Sequence, residues 1–424
     1  MSAYAETADD YHVDPVLLSH VCRTWREIVL GAPTLWQVFQ IYLNQKPSVI
    51  KSFWFAMSDR VKQLPVRLEL IDRPNIFHHE LVISIIRNML AITDVNIDQV
   101  YLSVIRQPYA LPVASYLKLF TRSLQLVHVV ASQEPRLSVE GHITIPEETW
   151  FDGICIYVDI RRILEILPPT NSLILEDIAF EPKSQGSYSS GLAKLKALTL
   201  TTSRYSSIEL WHLLRECGRL EYLRLDGDIE IMDAPLPDDT ALETITTLEV
   251  ESLGYFCEDL TPPVFPNLRE LVTNLGEPLY MQQFLSVNST PKRLCVFQSI
   301  SLSLDFLSRS LPHLREALLC DIDLSTFYTA SSDTEWNLEQ LQELTVDFFD
   351  KSLDPGEVER VIQHRMLRMQ LPSSVVTLEK FSIVLPLPMA DVEATPKWQN
   401  SQLLRCAEVE TGKEAVQYTW SVDW

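Results

Sequence analysis

Two adjacent histidines and a glutamate, His78, His79 and Glu80, are the first residues in this sequence whose types could support chemistry. Imidazole and carboxylate groups bind zinc, which needs three or four ligands at suitable spacing. No further ligand follows at such a spacing. The three residues open the run HHELVISIIRNML, where they are explained as polar residues in the first turn of a helix. We therefore predict no metal site here.

Acid–base catalysis has one further candidate, the pair Asp238 and Asp239. This pair lies in the proline-rich stretch MDAPLPDDT without a nearby base. His212, beside Trp211, is interpreted as a packed or surface histidine. The sequence has no phosphate-binding loop, no G-x-S-x-G elbow and no H-E-x-x-H helix. These observations predict a protein that is not an enzyme, has no catalytic residue and needs no cofactor.

The charge of the chain limits the partners we expect. Its 424 residues carry a net charge of −22, so it lacks the excess of lysine and arginine with which proteins bind nucleic acid or anionic membranes. Residues 205–350 hold 26 acidic and eight basic side chains, net −18. This acidic region either attracts basic partners or keeps the surface solvated, and the sequence favours the second interpretation. We expect no nucleic acid and no membrane partner.

The seven cysteines indicate a reducing compartment. They are odd in number, are never spaced C-x-x-C, and several lie in apolar runs, as Cys295 does in RLCVF. The first residues, MSAYAETADDYH, have neither the basic nor the apolar region of a secretory signal. No apolar run approaches the length of about 18 residues that a membrane helix needs. We therefore expect a location in the cytoplasm, the nucleus or both.

An internal repeat with a period near 24 residues indicates the fold. The pattern L-x-x-L-x-L recurs as LKALTL at 195, LEYLRL at 220, ITTLEV at 245, LRELVT at 268, LREALL at 314 and LQELTV at 341. The gap from 268 to 314 is twice 23, which predicts a weak unit at 291, where PKRLCV occurs. The series extends to TNSLIL at 170 and LEKFSI at 378, and PVRLEL at 65, IDQVYL at 97 and TRSLQL at 121 precede it. Between 127 and 165 the register is lost.

Each unit combines a short strand with a helical stretch. Alternating apolar residues such as Leu198 and Leu200 predict a strand with one inward face, and SIELWHLLRECGRLE carries apolar residues at helical spacing. One unit cannot bury these faces alone, whereas stacked units bury both. We predict an α/β fold, a curved solenoid with a parallel sheet and outer helices, which resembles leucine-rich repeats. The usual asparagine after the strand is replaced by Ser203 and Asp228 in two units, so we expect irregular turns.

A separate helix is predicted before the repeats, over residues 14–30. Asp14 suits its N-cap, Pro15 suits its first position, and Gly31 and Pro33 end it. Its apolar stripe comprises Leu17, Leu18, Val21, Cys22, Trp25, Ile28 and Val29, and Leu35 and Trp36 follow in a short turn. Such a stripe either docks on a partner or caps the exposed end of the first repeat.

The segments LLSHVCRTWREI and APTLW resemble the second half of an F-box, whose core reads approximately D-x-x-L-L-x-x-x-x-V-C-x-x-W-R with P-x-L-W shortly after it. With the repeats, they make the chain similar to fungal F-box proteins with leucine-rich repeats. The resemblance implies a substrate receptor of an SCF-type cullin-RING ubiquitin ligase. Its F-box docks on the adaptor Skp1, and through it on the cullin, while the repeats bind an unknown target protein. The residues expected to face the adaptor or to be buried are Pro15, Leu17, Leu18, Val21, Cys22, Trp25, Leu35 and Trp36.

The F-box of this family begins with a helix of the type L-P-x-E-I-L-x-x-I-F, and only MSAYAETADDYH precedes the matching part here. We therefore expect the first half of the F-box to be missing. The alternative is a leucine-rich-repeat scaffold that has lost Skp1 binding. The predicted organisation is a tail over 1–12, a partial F-box-like segment over 13–45, a linker helix over 46–64, repeats over 65–385 and a C-terminal cap over 386–424.

Overall fold

A computed structural model divides the chain into two compact units. The first is Met1–Tyr205 with Glu216–Gly218, and the second is Ser206–Arg215 with Arg219–Trp424. The residues described are 18–61, 63–71, 79–105, 113–132, 156–158, 167–176, 178–180, 192–201, 205–227, 229–230, 242–257, 262–276, 278–299, 304–320, 322–328, 338–348, 354–368, 371–386, 407–411 and 415–421. Each unit is an α/β assembly in which most strands are parallel.

The first unit alternates strands with helices. Its strands are β1 (Val38–Tyr42), β2 (Val66–Ile71), β3 (Ile97–Ile105), β4 (Leu124–Ser132), β5 (Ile156–Val158), β6 (Thr170–Glu176), β7 (Ile178–Phe180) and β8 (Ala197–Thr201). Its helices are α1 (Arg23–Gly31), α2 (Pro47–Val61), α3 (His79–Ile92) and α4 (Val113–Leu117), with short 3₁₀ turns at Pro33–Trp36 and Leu192–Lys194. The strands β1, β2, β3, β4, β6 and β8 are neighbours in that order and pair in parallel.

Two apolar ladders across these strands explain why the repeat pattern needs its leucines. Each member pairs with the equivalent residue of the next strand, and every member is buried. The ladders are Phe39, Leu68, Val100, Val127, Leu173 and Leu198, and Ile41, Leu70, Leu102, Val129, Leu175 and Leu200. Because successive side chains of a strand point to opposite faces, these residues share one face and leave the other face to the mostly polar residues between them.

The second unit continues the alternation of strands and helices. Its strands are β9 (Tyr205–Ser206, which begins in the first unit), β10 (Tyr222–Asp226), β11 (Ile229–Glu230), β12 (Thr247–Ser252), β13 (Glu270–Gly276), β14 (Arg293–Ser299), β15 (Glu316–Cys320), β16 (Glu343–Asp347), β17 (Lys380–Pro386), β18 (Glu408–Thr411) and β19 (Ala415–Ser421). Its helices are α5 (Ser207–Glu216), α6 (Gly254–Cys257), α7 (Pro278–Val287), α8 (Leu304–Ser310) and α9 (Pro355–Val361), with a 3₁₀ turn at Leu324–Phe327 and a π turn at Ile362–Met366.

Parallel pairing runs from β10 through β12, β13, β14, β15 and β16 to β17. The weak unit predicted at 291 is confirmed as a strand, because β14 pairs with both neighbours and buries Leu294 and Val296. The hairpin of β19 and β18 then pairs antiparallel with β17. Trp420 stacks on Phe381 at 5.7 Å between ring centroids, so this hairpin covers the last parallel strand of the unit.

The helix predicted over 14–30 is interrupted, and this part of the prediction is wrong. Helix α1 begins at Arg23, and Cys22 is its N-cap, with an extended backbone and an Sγ that accepts a hydrogen bond from the Trp25 N–H at 3.5 Å. Arg26 Nε donates to the carbonyl of Ser19 at 3.0 Å, so the preceding turn is tied to the helix. Residues 14–17 lie outside the described residues. The apolar stripe is therefore divided at Cys22.

The parallel strands also begin earlier than the repeat pattern indicated. Strand β1 pairs with β2 over Val38–Tyr42, within the range 13–45 assigned to the F-box-like segment. The helix predicted over 46–64 is present as α2, and its Trp54 packs edge-on against Phe39 of β1 at 5.4 Å. Trp54 Nε1 also donates to Thr93 Oγ1 at 2.9 Å, beyond the end of α3. This helix therefore packs as part of the first unit's core.

Candidate functional site

Helix α1 is held on the first unit by two buried residues, Val29 and Trp36. The indole Nε1 of Trp36 donates to the carbonyl of Val29 at 2.8 Å, and Trp36 is only 1% exposed. The guanidinium of Arg60 in α2 lies 4.4 Å from the centre of the Trp36 ring, and its Nη1 donates to the carbonyl of Ala56 at 2.7 Å. These contacts fix the end of α1 against α2.

The remaining large apolar residues around α1 are exposed. Trp25 and Ile28, one turn apart on the helix, are 46% and 55% exposed, and Val21 just before the N-cap is 64% exposed. Leu30 and Leu35 are also exposed. We call Val21, Trp25 and Ile28 the α1 patch. Exposed apolar residues that are grouped in this way are characteristic of surfaces that bind another protein.

The residues predicted to contact an adaptor have several different environments. Pro15 and Leu17 lie outside the described residues, and Leu18 is half-buried. Val21, Cys22, Trp25 and Leu35 are exposed, whereas Trp36 is buried. Ile28 belongs to the predicted apolar stripe but not to the predicted adaptor contacts, although its spacing of three residues from Trp25 indicates that the two share one face of the helix. The motif is thus divided between residues that anchor α1 and residues that remain accessible.

Cys22 differs from the other described cysteines. Cys217, Cys257, Cys295 and Cys320 are buried, whereas Cys22 is exposed next to the α1 patch. Burial raises the pKa of the Cys217 and Cys257 thiols to about 12, so both stay protonated at neutral pH. Since the thiolate is the reactive form, these two cysteines should not be alkylated in the folded protein. Among the cysteines that the structure describes, Cys22 is therefore the accessible one, and its modification reports on this surface.

The polar face of the first unit's sheet carries a network of charged and aromatic side chains. Arg67 Nε lies 2.9 Å from Glu69 Oε1, and its guanidinium lies 5.6 Å from the ring centre of Tyr101 on the next strand. Tyr101 packs edge-on against His128, whose Nε2 lies 3.0 Å from Glu176 Oε1. Burial, reinforced by the negative charges of Glu176 and Glu69, raises the pKa of Tyr101. Tyrosine and arginine are residue types that often dominate binding at protein interfaces.

A second network lies on the polar face of the second unit's sheet. Arg224 Nη2 lies 3.2 Å from Asp226 Oδ2, and its Nη1 lies 3.4 Å from Glu249 Oε1. The Tyr222 hydroxyl donates to Glu249 Oε2 at 2.5 Å. Burial and this hydrogen bond to a carboxylate raise the pKa of Tyr222, so its hydroxyl remains a donor. The network orders carboxylates on an accessible sheet face.

Some of the candidate metal-binding and catalytic residues lie within the described ranges of the chain. His79 and Glu80 begin α3 and His212 lies in α5, whereas His78, Asp238 and Asp239 lie outside the described residues. Within the described ranges, no group of three or more His, Cys, Asp or Glu side chains is placed to hold a metal ion. In the same part of the chain, no helix combines the length and apolar character required to cross a membrane.

Comparison with protein-family models and with curated proteins finds no match for the chain. The structure itself defines the class: an α/β protein built mostly on parallel strands, with polar networks on the strand faces and a helix with exposed apolar residues at its described N-terminal end.

Proposed function

We propose that this protein is the substrate receptor of an SCF-type cullin-RING ubiquitin ligase. In this proposal, the segment around α1 is the second half of an F-box and docks on a Skp1-type adaptor, which links it to the cullin. The strand–helix units are irregular leucine-rich repeats, stacked as a solenoid, and they hold a target protein. Ubiquitin is transferred on other subunits, so the chain needs no catalytic residue of its own.

The observation that carries this proposal is the exposure of the α1 patch. Trp25 and Ile28 remain open to solvent on a helix that is anchored inside the protein by its own Val29 and by Trp36 of the following turn. Trp25 lies in the V-C-x-x-W-R part of the F-box-like motif, so the exposed residues and the motif coincide. An exposed tryptophan is a residue of the type that contributes most to binding at protein interfaces.

The target would be held by the polar strand faces that each unit carries. Arg67, Tyr101 and His128 on the first unit, and Tyr222 and Arg224 on the second, present large side chains that are already ordered by hydrogen bonds, ion pairs or ring contacts. Side chains that are ordered before binding lose less conformational entropy when a partner is bound.

A second function is favoured by the burial of Trp36 and Val29. These two residues of the F-box-like segment pack inside the first unit, which is the behaviour of a segment that caps the first strand. In this alternative the chain is a leucine-rich-repeat scaffold that binds partner proteins but has lost Skp1 binding. The two functions differ in whether the α1 patch binds the adaptor.

Calorimetric titration of the purified full chain with Skp1 tests the proposal. We expect a one-to-one complex, and we expect the double variant Trp25→Ala, Ile28→Ala to bind about 100-fold more weakly, because two central interface residues are lost. The matched control is Phe55→Ala, Ile92→Ala, which removes an exposed phenylalanine and an exposed isoleucine from α2 and α3.

The control variant should bind Skp1 as the wild type does. Equal losses in the two double variants would contradict docking through the α1 patch. If the wild-type chain forms no complex with Skp1, the result would favour the alternative function as a leucine-rich-repeat scaffold.

A further inference from the structure

The polar face of β10–β16 in the second unit has a distribution of charge that points to a particular kind of target. Burial alternates along β10, β12, β15 and β16, so that residues between the buried ladder positions are mostly accessible. We call these outward residues the β10–β16 face. Its acidic members are Asp226, Glu249, Glu251, Glu270, Glu316, Glu343 and Asp347, and its basic members are Arg224 and Arg293.

The two arginines do not neutralise this face. Arg293 lies between two carboxylates, with its Nη1 2.9 Å from Glu270 Oε1 and its Nε 3.4 Å from Glu316 Oε2. Arg224 lies in the same way between Asp226 and Glu249. Each arginine offsets one of its two carboxylates, so the β10–β16 face stays strongly negative. The arginines also hold these carboxylates in fixed positions.

Part of the middle of the face is apolar, next to the charged row of Glu270, Arg293 and Glu316. Val272, Phe297 and Leu318 occupy positions on this face of the three successive strands β13, β14 and β15, between the carboxylates of β12 and those of β16. Val272 is itself buried. Phe297 and Leu318 are half-buried and therefore retain accessible apolar surface. An apolar centre bordered by charged residues is the usual arrangement of a protein-binding surface.

We propose that the β10–β16 face binds an extended segment of the target protein that has basic residues at both ends and apolar residues between them. The choice of occupant follows from charge complementarity: lysines or arginines meet the carboxylates at the two ends, and the apolar side chains meet Phe297 and Leu318. That this segment belongs to a ubiquitination target rests on the proposed function.

The spacing of the strands sets the length of the segment. Neighbouring strands lie about 4.8 Å apart, so the four steps from β12 to β16 span about 19 Å. An extended chain advances about 3.3 Å per residue, so the two basic ends should be separated by about six residues.

A fluorescent peptide with two lysines at each end, separated by six residues that include two leucines, tests this proposal by anisotropy with the full chain and without the adaptor. We expect saturable binding that weakens at high salt, and about tenfold weaker binding to the double variant Glu251→Gln, Glu343→Gln, which removes one carboxylate from each end of the face. The matched control is Asp305→Asn, Glu359→Gln, which changes the net charge equally but acts on α8 and α9.

The control variant should bind the peptide as the wild type does, and replacing the peptide's leucines by serine should weaken its binding. Equal effects of the two double variants would overturn the proposal, because they would show attraction to net charge alone. Absence of peptide binding would overturn it as well. Neither result would affect Skp1 binding by the α1 patch, so failure of this inference is distinguishable from failure of the proposed function.

Discussion

The substitution Phe256→Ala is expected to lower the free energy of unfolding of the second unit by about 3–5 kcal/mol, the usual cost of truncating a buried phenylalanine. Phe256 of α6 is fully buried, and its ring centroid lies 5.7 Å from that of Trp211, 6.1 Å from that of Phe265 and 6.0 Å from that of Phe284. Removing the ring leaves a cavity between α5, α6 and α7 and takes away three aromatic contacts at once.

Urea unfolding followed by circular dichroism measures this loss. Phe55→Ala is the control, because Phe55 in α2 is 41% exposed and its truncation should cost less than about 1 kcal/mol. A similar small loss in both variants would mean that Phe256 is not a centre of the core.

Substitution of two tryptophans that are close in sequence, Trp25 and Trp36, should have very different effects on stability, because only Trp36 is buried. Trp36→Ala should destabilise the attachment of α1 by about 3–5 kcal/mol, because it removes a buried ring, the hydrogen bond to the Val29 carbonyl and the contact with the Arg60 guanidinium. Trp25→Ala should change stability by less than about 1 kcal/mol, since almost half of that side chain is already exposed.

Limited trypsin digestion distinguishes the effect of Trp36→Ala from that of Trp25→Ala. Loss of the Trp36 anchor should release α1 and speed cleavage after Arg23 and Arg26, whereas Trp25→Ala should leave the cleavage rate of α1 close to that of the wild type. The account of how α1 is held would be contradicted by equal cleavage in the two variants.

The strands could be predicted from the sequence because the burial of a strand depends on a short local pattern. Leu198 and Leu200, or Leu223 and Leu225, are two residues apart and fall on the same face whatever the rest of the fold is. Even Arg293–Ser299, which lacks the first leucine of the pattern, was predictable from the period of its neighbours.

The environment of α1 could not be predicted in the same way. An apolar stripe shows that a helix is amphipathic, but it does not show whether a partner from the same chain covers each residue. Cys22 ends the stripe because its sulfur caps α1, and a cysteine is not among the residues usually expected at an N-cap. The ring of the buried Trp36 is covered on one side by Arg60, which is 24 residues later in the sequence.

The side-chain networks on the strand faces could not be predicted either, because they depend on the register in which the strands pair. Tyr222 forms a hydrogen bond with Glu249, and Arg293 forms ion pairs with Glu270 and Glu316. These contacts exist only because parallel pairing places residues of successive strands side by side. The acidic composition of residues 205–350 was visible in the sequence, but the sequence favoured a merely solvated surface. The pairing of strands was needed to place these carboxylates around an apolar centre.

Alkylation of Cys22 in the presence and absence of Skp1 tests most directly whether the α1 patch docks on the adaptor. The rate at which N-ethylmaleimide modifies Cys22, followed by mass spectrometry of the peptide that contains it, should fall at least about tenfold when Skp1 is added, because the docked adaptor covers this surface. The Trp25→Ala, Ile28→Ala variant should show no protection. A Cys22 rate that Skp1 leaves unchanged in the wild type would contradict the proposed docking surface.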